Sequence, residues 1–181
     1  GENPEPMFIG TMQLSEKKYI SKDEHEQEVI DGQQRLTTLS ILLKLLSIKY
    51  PDFKRLNDLK FNWLESRINK SQNDYLTDFF NTNIIEERAN NTYFNNAVLI
   101  ENSFNNLIEN EIVDENNSFS FDIDKFCDYL FSKVYFVIIE TYTGLSKTLQ
   151  IFNAINTTGL DLNGGDLFKI RMYEYLKDIK N

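Results

Sequence analysis

A single cysteine, Cys127, excludes any intrachain disulfide and any zinc site built from several thiolates. It lies among Phe126, Tyr129, Leu130 and Phe131, a setting that fits a buried, inert thiol rather than a nucleophile. Histidine is as scarce. His25 stands alone in a charged stretch, so a Ser-His-Asp or Cys-His relay would have to use an exposed group distant from any motif, and a His-Asn-His nuclease centre cannot be assembled within these residues. No apolar run approaches the ~18 residues of a membrane-spanning helix. The opening Gly-Glu-Asn-Pro-Glu-Pro has neither the basic region nor the apolar core of a secretory signal, which leads to the expectation of a reducing cytoplasm and no membrane partner. With no initiator methionine and an early first strand, the sequence is expected to be cut from a longer protein and to lack a segment ahead of Phe8. Positive charge is also short: 19 Lys and Arg against 28 Asp and Glu give a net charge of −9. That balance works against broad contact with the DNA backbone, whose affinity is carried by basic side chains. A local basic patch is left, around Lys169 and Arg171.

What is present is a globular chain. Hydrophobic content of 41 % with 13 % aromatics excludes a wholly disordered protein. A length of 181 residues allows one domain that buries on the order of 70 % of its extended surface. There is no internal repeat and no low-complexity tract. Residues 7 to 14 read as a strand with a bulge at Gly10, Tyr19 and Ile20 as a hairpin partner or loop, and residues 26 to 30 as a second strand. A helix runs from about Gln34 to Tyr50 and stops at Pro51. Its apolar positions form two stripes, Leu36, Leu39, Leu42, Leu43 and Leu46 in one and Ile41, Leu45 and Ile48 in the other, as in a central, buried helix. Leu59, Phe61 and Trp63 alternate as in a strand or extended segment. Residues 73 to 81 and 92 to 109 read as helices, the second with Phe94, Val98, Leu99, Phe104, Leu107 and Ile108 on its apolar face. After a polar break at Asp114 to Ser118 comes a helix over 123 to 131 capped by Asp122 or Asp124, then Val134 to Ile139, a strand buried on both faces. Ser146 caps a helix to about Ile155 that ends in Gly159, and Asn163-Gly-Gly-Asp166 opens a last helix with Leu167, Ile170, Met172, Tyr173 and Leu176 on one face.

One stretch carries more chemistry than the rest. Val29 and Ile30 run into the turn signal Asp31-Gly32, and the chain emerges as a helix. The first N–H groups of that helix have no intrahelical partner and sit at the positive end of its dipole, so an anion is favoured there. Gln33 and Gln34 are long amides at this mouth. Arg35 adds a planar fork that suits phosphate oxygens, and Gly32 removes a Cβ that would hold a ligand away. The same residues also fit a plainer account, in which an Asp-Gly turn caps a core helix and Arg35 pairs with a nearby carboxylate. From the residues alone both accounts stay open.

The words Asp31-Gly-Gln-Gln-Arg35-Leu-Thr-Thr-Leu39 resemble the signature of the GmrSD-type family, the N-terminal domain of modification-dependent restriction endonucleases, which is similar to the ParB and sulfiredoxin nucleotide-binding fold. A second match is Phe152-Asn-Ala-Ile-Asn156, then Gly159-Leu-Asp-Leu162, then Asp166-Leu-Phe-Lys169. A third, Phe8-Ile-Gly-Thr-Met-Gln-Leu14, is similar to the family's first strand, so that the three in order span residues 8 to 169.

The resemblance implies an α+β fold, a small ParB/sulfiredoxin-like mixed β-sheet with a large helical elaboration. It implies a single truncated domain over 1–181, with a motif-bearing β-α core at 7–50, a mainly helical insertion at 52–132, and a strand with closing helices at 133–181. The implied function is binding and hydrolysis of a nucleoside triphosphate, GTP, UTP or ATP with Mg2+. That turnover would regulate cleavage of modified foreign DNA by a nuclease that lies beyond Asn181, as a further domain or a separate polypeptide. Phosphate chemistry rests on positioning and charge neutralisation. Asp31 is accordingly the candidate for magnesium or water handling and Arg35 for phosphate. Gly32, Gln33, Gln34 and a hydroxyl from Thr37 or Thr38 line the nucleotide. There is no Walker A sequence, which removes the P-loop mechanism. The distal match adds Asn156, Asp166 and Lys169, although helix capping accounts for Asn156 and Gly159, a dipole partner for Asp166 and a solvated side chain for Lys169. Two rival readings are a non-catalytic DNA-recognition module whose helix mouth holds a DNA phosphate, and an assembly domain with a vestigial pocket.

Overall fold

The computed structural model describes residues 4–61, 63–66, 70–111, 121–142, 147 and 151. In chain order the elements are β1 (Met7–Leu14), β2 (Lys18–Tyr19), β3 (His25–Glu26), β4 (Val29–Asp31), α1 (Gln33–Lys49), α2 (Lys54–Asn57), α3 (Lys70–Asn81), α4 (Thr92–Glu111), α5 (Ile123–Ser132) and β5 (Val134–Glu140). The fold is α+β, a small mixed sheet with an extensive helical part. The chain divides into two compact units, one made of residues 1–33 and 127–181, the other of residues 34–126.

The first unit is built on β1. This strand is antiparallel to β4 on one side and parallel to β5 on the other, giving the order β4-β1-β5. Partners include Gln13 with Asp31 and Leu14 with Val29 across one edge, and Phe8 with Tyr135 and Gln13 with Ile139 across the other. The β1–β5 register slips between Phe8 and Thr11, where Gly10 takes a φ of 110°. Only glycine adopts that backbone freely, so Gly10 supplies the expected bulge. The short pair β2–β3 joins Lys18 with Glu26 and Tyr19 with His25, and its loop is closed by Ile20 N–H donating to the Glu24 carbonyl at 2.9 Å. Ser15 then ties the chain back: its N–H donates to the Glu28 carbonyl at 2.9 Å and its Oγ accepts from Glu28 N–H at 2.8 Å.

The second unit is helical. Its core joins Ile41 of α1, Phe79 of α3 and Phe94 and Ala97 of α4, flanked by Phe80, Ile85, Tyr93 and Ile100. Phe79 and Phe94 meet edge to face with centroids 5.3 Å apart, a geometry that aromatic quadrupoles favour. Arg88 lies 3.8 Å over the Phe94 ring while pairing with Asp78 at 2.8 Å and Glu86 at 3.3 Å. Asn91 caps α4 by accepting from Tyr93 N–H at 3.1 Å, and its own amide donates to the Tyr75 carbonyl at 3.2 Å, which fixes α4 to α3. A second aromatic group gathers Phe104, Phe121 and Phe126. Asp122 caps α5 by accepting from Lys125 N–H at 3.1 Å.

Several expectations need correction. α1 buries Ser40, Ile41, Lys44, Leu45 and Leu46, whereas Leu36, Leu39, Leu42 and Leu43 are only half-buried. Apolar residues on most sides of a helix do not say which side is inside. On α4, Leu99 and Leu107 are exposed, and the inner face runs through Phe94, Ala97 and Phe104. No strand forms at Leu59 to Leu64 among the described residues; a single turn, α2, precedes a nonregular segment. β5 is not buried on both faces. Tyr135, Phe136, Val137 and Ile138 are exposed, and β5 is the outer strand of the sheet formed by the described residues. Of the helix expected after Ser146, Lys147 and Ile151 are helical; the polar break at 114–118, the end at Gly159 and the last helix lie outside the described residues.

Candidate functional site

Strand β4 ends at Asp31 and α1 begins at Gln33, so the whole change from strand to helix is made at Gly32. Gly32 has a φ of 92°, and a Cβ built on it would lie 3.2 Å from Met12 Cγ and 3.3 Å from Met12 Cα. Both facts disfavour a side chain. The central strand is therefore what requires the glycine, because its backbone and Met12 occupy the space a Cβ would take. Asp31 is half-buried and paired in register with Gln13, which is buried and has Ile139 on its other side. Motif spacing does not point to Gln13. Its one signal is a polar residue at the inner end of an otherwise mainly apolar strand.

Gln33 is exposed, yet its amide nitrogen donates to the Val29 carbonyl at 2.7 Å and to the Ile30 carbonyl at 3.2 Å. This side chain folds back on the strand that precedes it and fixes the entry into α1. Gln34 and Arg35 follow in the helix's first turn and are exposed, and that turn contains no acidic residue. Its positive end is not offset by a carboxylate of the turn itself. Neither Asp31 nor Arg35 is without a partner. Thr37 is half-buried and Thr38 exposed. Asn156, Asp166 and Lys169 lie outside the described residues.

A further carboxylate stands near the same end of the sheet. Glu140, at the end of β5, accepts from Tyr142 O–H at 2.7 Å and from Gln27 at 3.3 Å, with Lys17 at 4.0 Å. The Tyr142 hydrogen bond and then that of Gln27 hold its carboxyl below the usual range, and the tyrosine hydroxyl is pushed up in return. Gln27 also donates to the Ser15 carbonyl at 3.0 Å, and Thr141 donates to the Leu14 carbonyl at 3.1 Å through both its N–H and its hydroxyl. Glu140 thus fastens the strand ends. A carboxylate stabilised in its charged form by two donors is a weak proton acceptor.

Among the described residues no three His, Cys, Asp or Glu side chains come together as a metal cluster, and Cys127 is buried and unbonded to another sulfur. No helix among them is long and apolar enough to cross a membrane. Compared with known families, residues 3–173 match the GmrSD restriction endonuclease, N-terminal domain. The chain belongs to this family. No curated protein matches it. The match covers both the strand-to-helix corner and the helical unit.

Proposed function

We propose that this domain binds a nucleoside triphosphate with Mg2+ at the start of α1 and hydrolyses it, in support of cleavage of modified DNA by a nuclease outside these residues. The observation that carries the reading is the Asp31-Gly32-Gln33 corner, from which α1 starts with a first turn that holds Arg35 and no acid. The N–H groups of a helix's first turn and the Arg35 fork suit the terminal phosphates, and Arg35 would offset charge that builds on the leaving oxygens. A single carboxylate, Asp31, is a fitting anchor for Mg2+, which binds through one or two carboxylates together with substrate phosphates and water. When bound, the ion would polarise the terminal phosphoryl group. Gln33 has a framing part in this reading, since its amide nitrogen is already engaged with β4. Gln34 and Thr37 remain contacts of the nucleotide, joined by Asn156, Asp166 and Lys169 of the distal motif. The domain as a whole would be a ParB/sulfiredoxin-like core at 7–50 and 133–181 interrupted by the helical region. DNA, in the same reading, is met through the full-length protein, which fits the net charge of −9.

The test is calorimetry with GTP, UTP and ATP plus Mg2+ on the wild type and on Arg35→Ala. The expected result is binding of at least one nucleotide by the wild type and an affinity roughly tenfold to hundredfold lower in the variant, as befits loss of hydrogen bonds to a charged group. Equal silence from both proteins toward all three nucleotides would sink the proposal.

A further inference from the structure

The helical unit holds a buried lysine beside an open cavity, away from the corner just described in sequence and within one unit of the fold. Lys44, on α1, is 9 % exposed. Its ammonium donates to Asn83 Oδ1 at 3.5 Å, the long limit of a hydrogen bond, and no carboxylate among the described residues comes within ion-pair distance of it. An ammonium has more donors than one carbonyl can take. Burying such a group with no opposite charge is unfavourable, and burial pushes Lys44 below the ordinary lysine range.

The cavity that Lys44 lines has a volume of about 960 Å3 and is bounded by α1, α2, α3 and the segment around residues 59–65. That lies in the size range of small-molecule sites and far above the room one water needs. Two carboxamides of its lining offer donors. Asn83 uses its side-chain carbonyl on Lys44, and Asn73 uses its own to accept from Ser66 N–H at 2.9 Å, which leaves the N–H2 group of each as a donor. Lys60 adds a second cation to the lining, against one carboxylate, Glu65. On the apolar side Phe61 and Phe80 are stacked with centroids 5.2 Å apart and planes 15° from parallel.

We propose that this cavity is a binding site for a small organic oxyanion, its phosphate or carboxylate end on Lys44 and its planar body against Phe61 and Phe80. The site goes beyond the nucleotide reading and does not depend on it. Lys44 supplies the charge, the two carboxamides supply neutral donors, and the ring pair supplies a flat apolar wall.

Phenyl phosphate, benzoate and phenol serve as probes, titrated by calorimetry into wild type, Lys44→Met and Arg35→Ala. Wild type is expected to bind one or both anions, the tighter of the two naming the anion class, with a component that Arg35→Ala retains and that Lys44→Met weakens roughly tenfold or more. Phenol, without the charge, is expected to show no dependence on Lys44. Silence of the wild type toward both anions overturns the proposal, as does binding by Lys44→Met at wild-type affinity. Binding lost in Arg35→Ala and kept in Lys44→Met overturns it too, while supporting the corner at α1. If Lys44→Met does not fold, the wild type with 13Cε-labelled lysine still decides. The Lys44 titration midpoint is expected to rise when the bound anion is added, and a midpoint that stays in place rejects the site.

Discussion

Gly32 shows how packing by itself can call for a glycine. With a φ of 92° and Met12 within 3.4 Å of any added Cβ, an alanine here meets both backbone strain and a close contact. Gly32→Ala is expected to lose about 1–3 kcal/mol of stability in urea unfolding. In a double-mutant cycle, Met12→Ala should return part of that loss by removing the Cγ contact, while those of Cα and Cβ stay, with a coupling of about 0.5 kcal/mol or more. Purely additive effects would show that the contact does not matter. Among the described residues, the glycines with positive φ, Gly10 and Gly32, are both legible, because a glycine inside a strand and an Asp-Gly pair after one are each local signals. Lys44 is not legible. A lysine is normally solvated, and nothing within a few residues of it shows that α3 and the chain beyond it will close over its stem.

At the scale of elements, caps are readable and inner faces less so. Asp122 stands out as an acid ahead of an amphipathic run, and it does accept from the Lys125 backbone. That hydrogen bond, followed by the contact with the Lys125 side chain, holds its carboxyl below the usual aspartate range. A depressed folded-state value means that the stabilisation is complete above the unfolded-state pKa, near 3.9, and is lost as pH falls through the lower folded-state value. Asp122→Ala should therefore melt below the wild type at neutral pH, with the gap closing in acid; a gap independent of pH would refute the cap's charge dependence. For α4 the sequence offers more apolar positions than the fold buries. Phe79→Ala on the neighbouring α3 is expected to cost about 3–5 kcal/mol, since that ring is fully buried in the Phe94 group. Leu99→Ala, on an exposed position, should cost within about 0.5 kcal/mol. Which leucines of α1 and α4 turn inward depends on the partners each helix meets, and those partners are remote in sequence. The exposure of the strand Val134 to Ile139 is hidden for the same reason: a run of apolar residues reports strand formation but not the number of neighbours the strand will have.

The whole molecule carries a net charge of −9, and this bears on how the family's DNA-directed work is divided. A duplex of unmodified sequence should bind this domain more weakly than about 100 μM at physiological salt, judged by fluorescence anisotropy. Tighter, salt-sensitive binding would reveal a local basic surface and favour direct DNA contact over nucleotide control. Family and fold class are legible because the motif words are ordered along residues 8 to 169 and because a run of short strands is followed by long periodic helices. The division of the chain is harder to read. A unit made of residues 34–126 begins just after the Gly32 turn but closes inside α5, where no proline or glycine announces a boundary.

The central strand also sets a timetable. β1 is made first, yet its parallel neighbour β5 comes from the far end of the described chain, and the Leu14–Thr141 hydrogen bond closes a separation of 127 residues. At ordinary translation speeds the ribosome needs roughly ten seconds to deliver that neighbour. During that interval the 34–126 helices can form among themselves from local contacts, while β1 has only β4 to pair with. The sheet that frames the Asp31 corner therefore waits for β5, so newborn chains should acquire a finished corner only after that strand has left the exit tunnel.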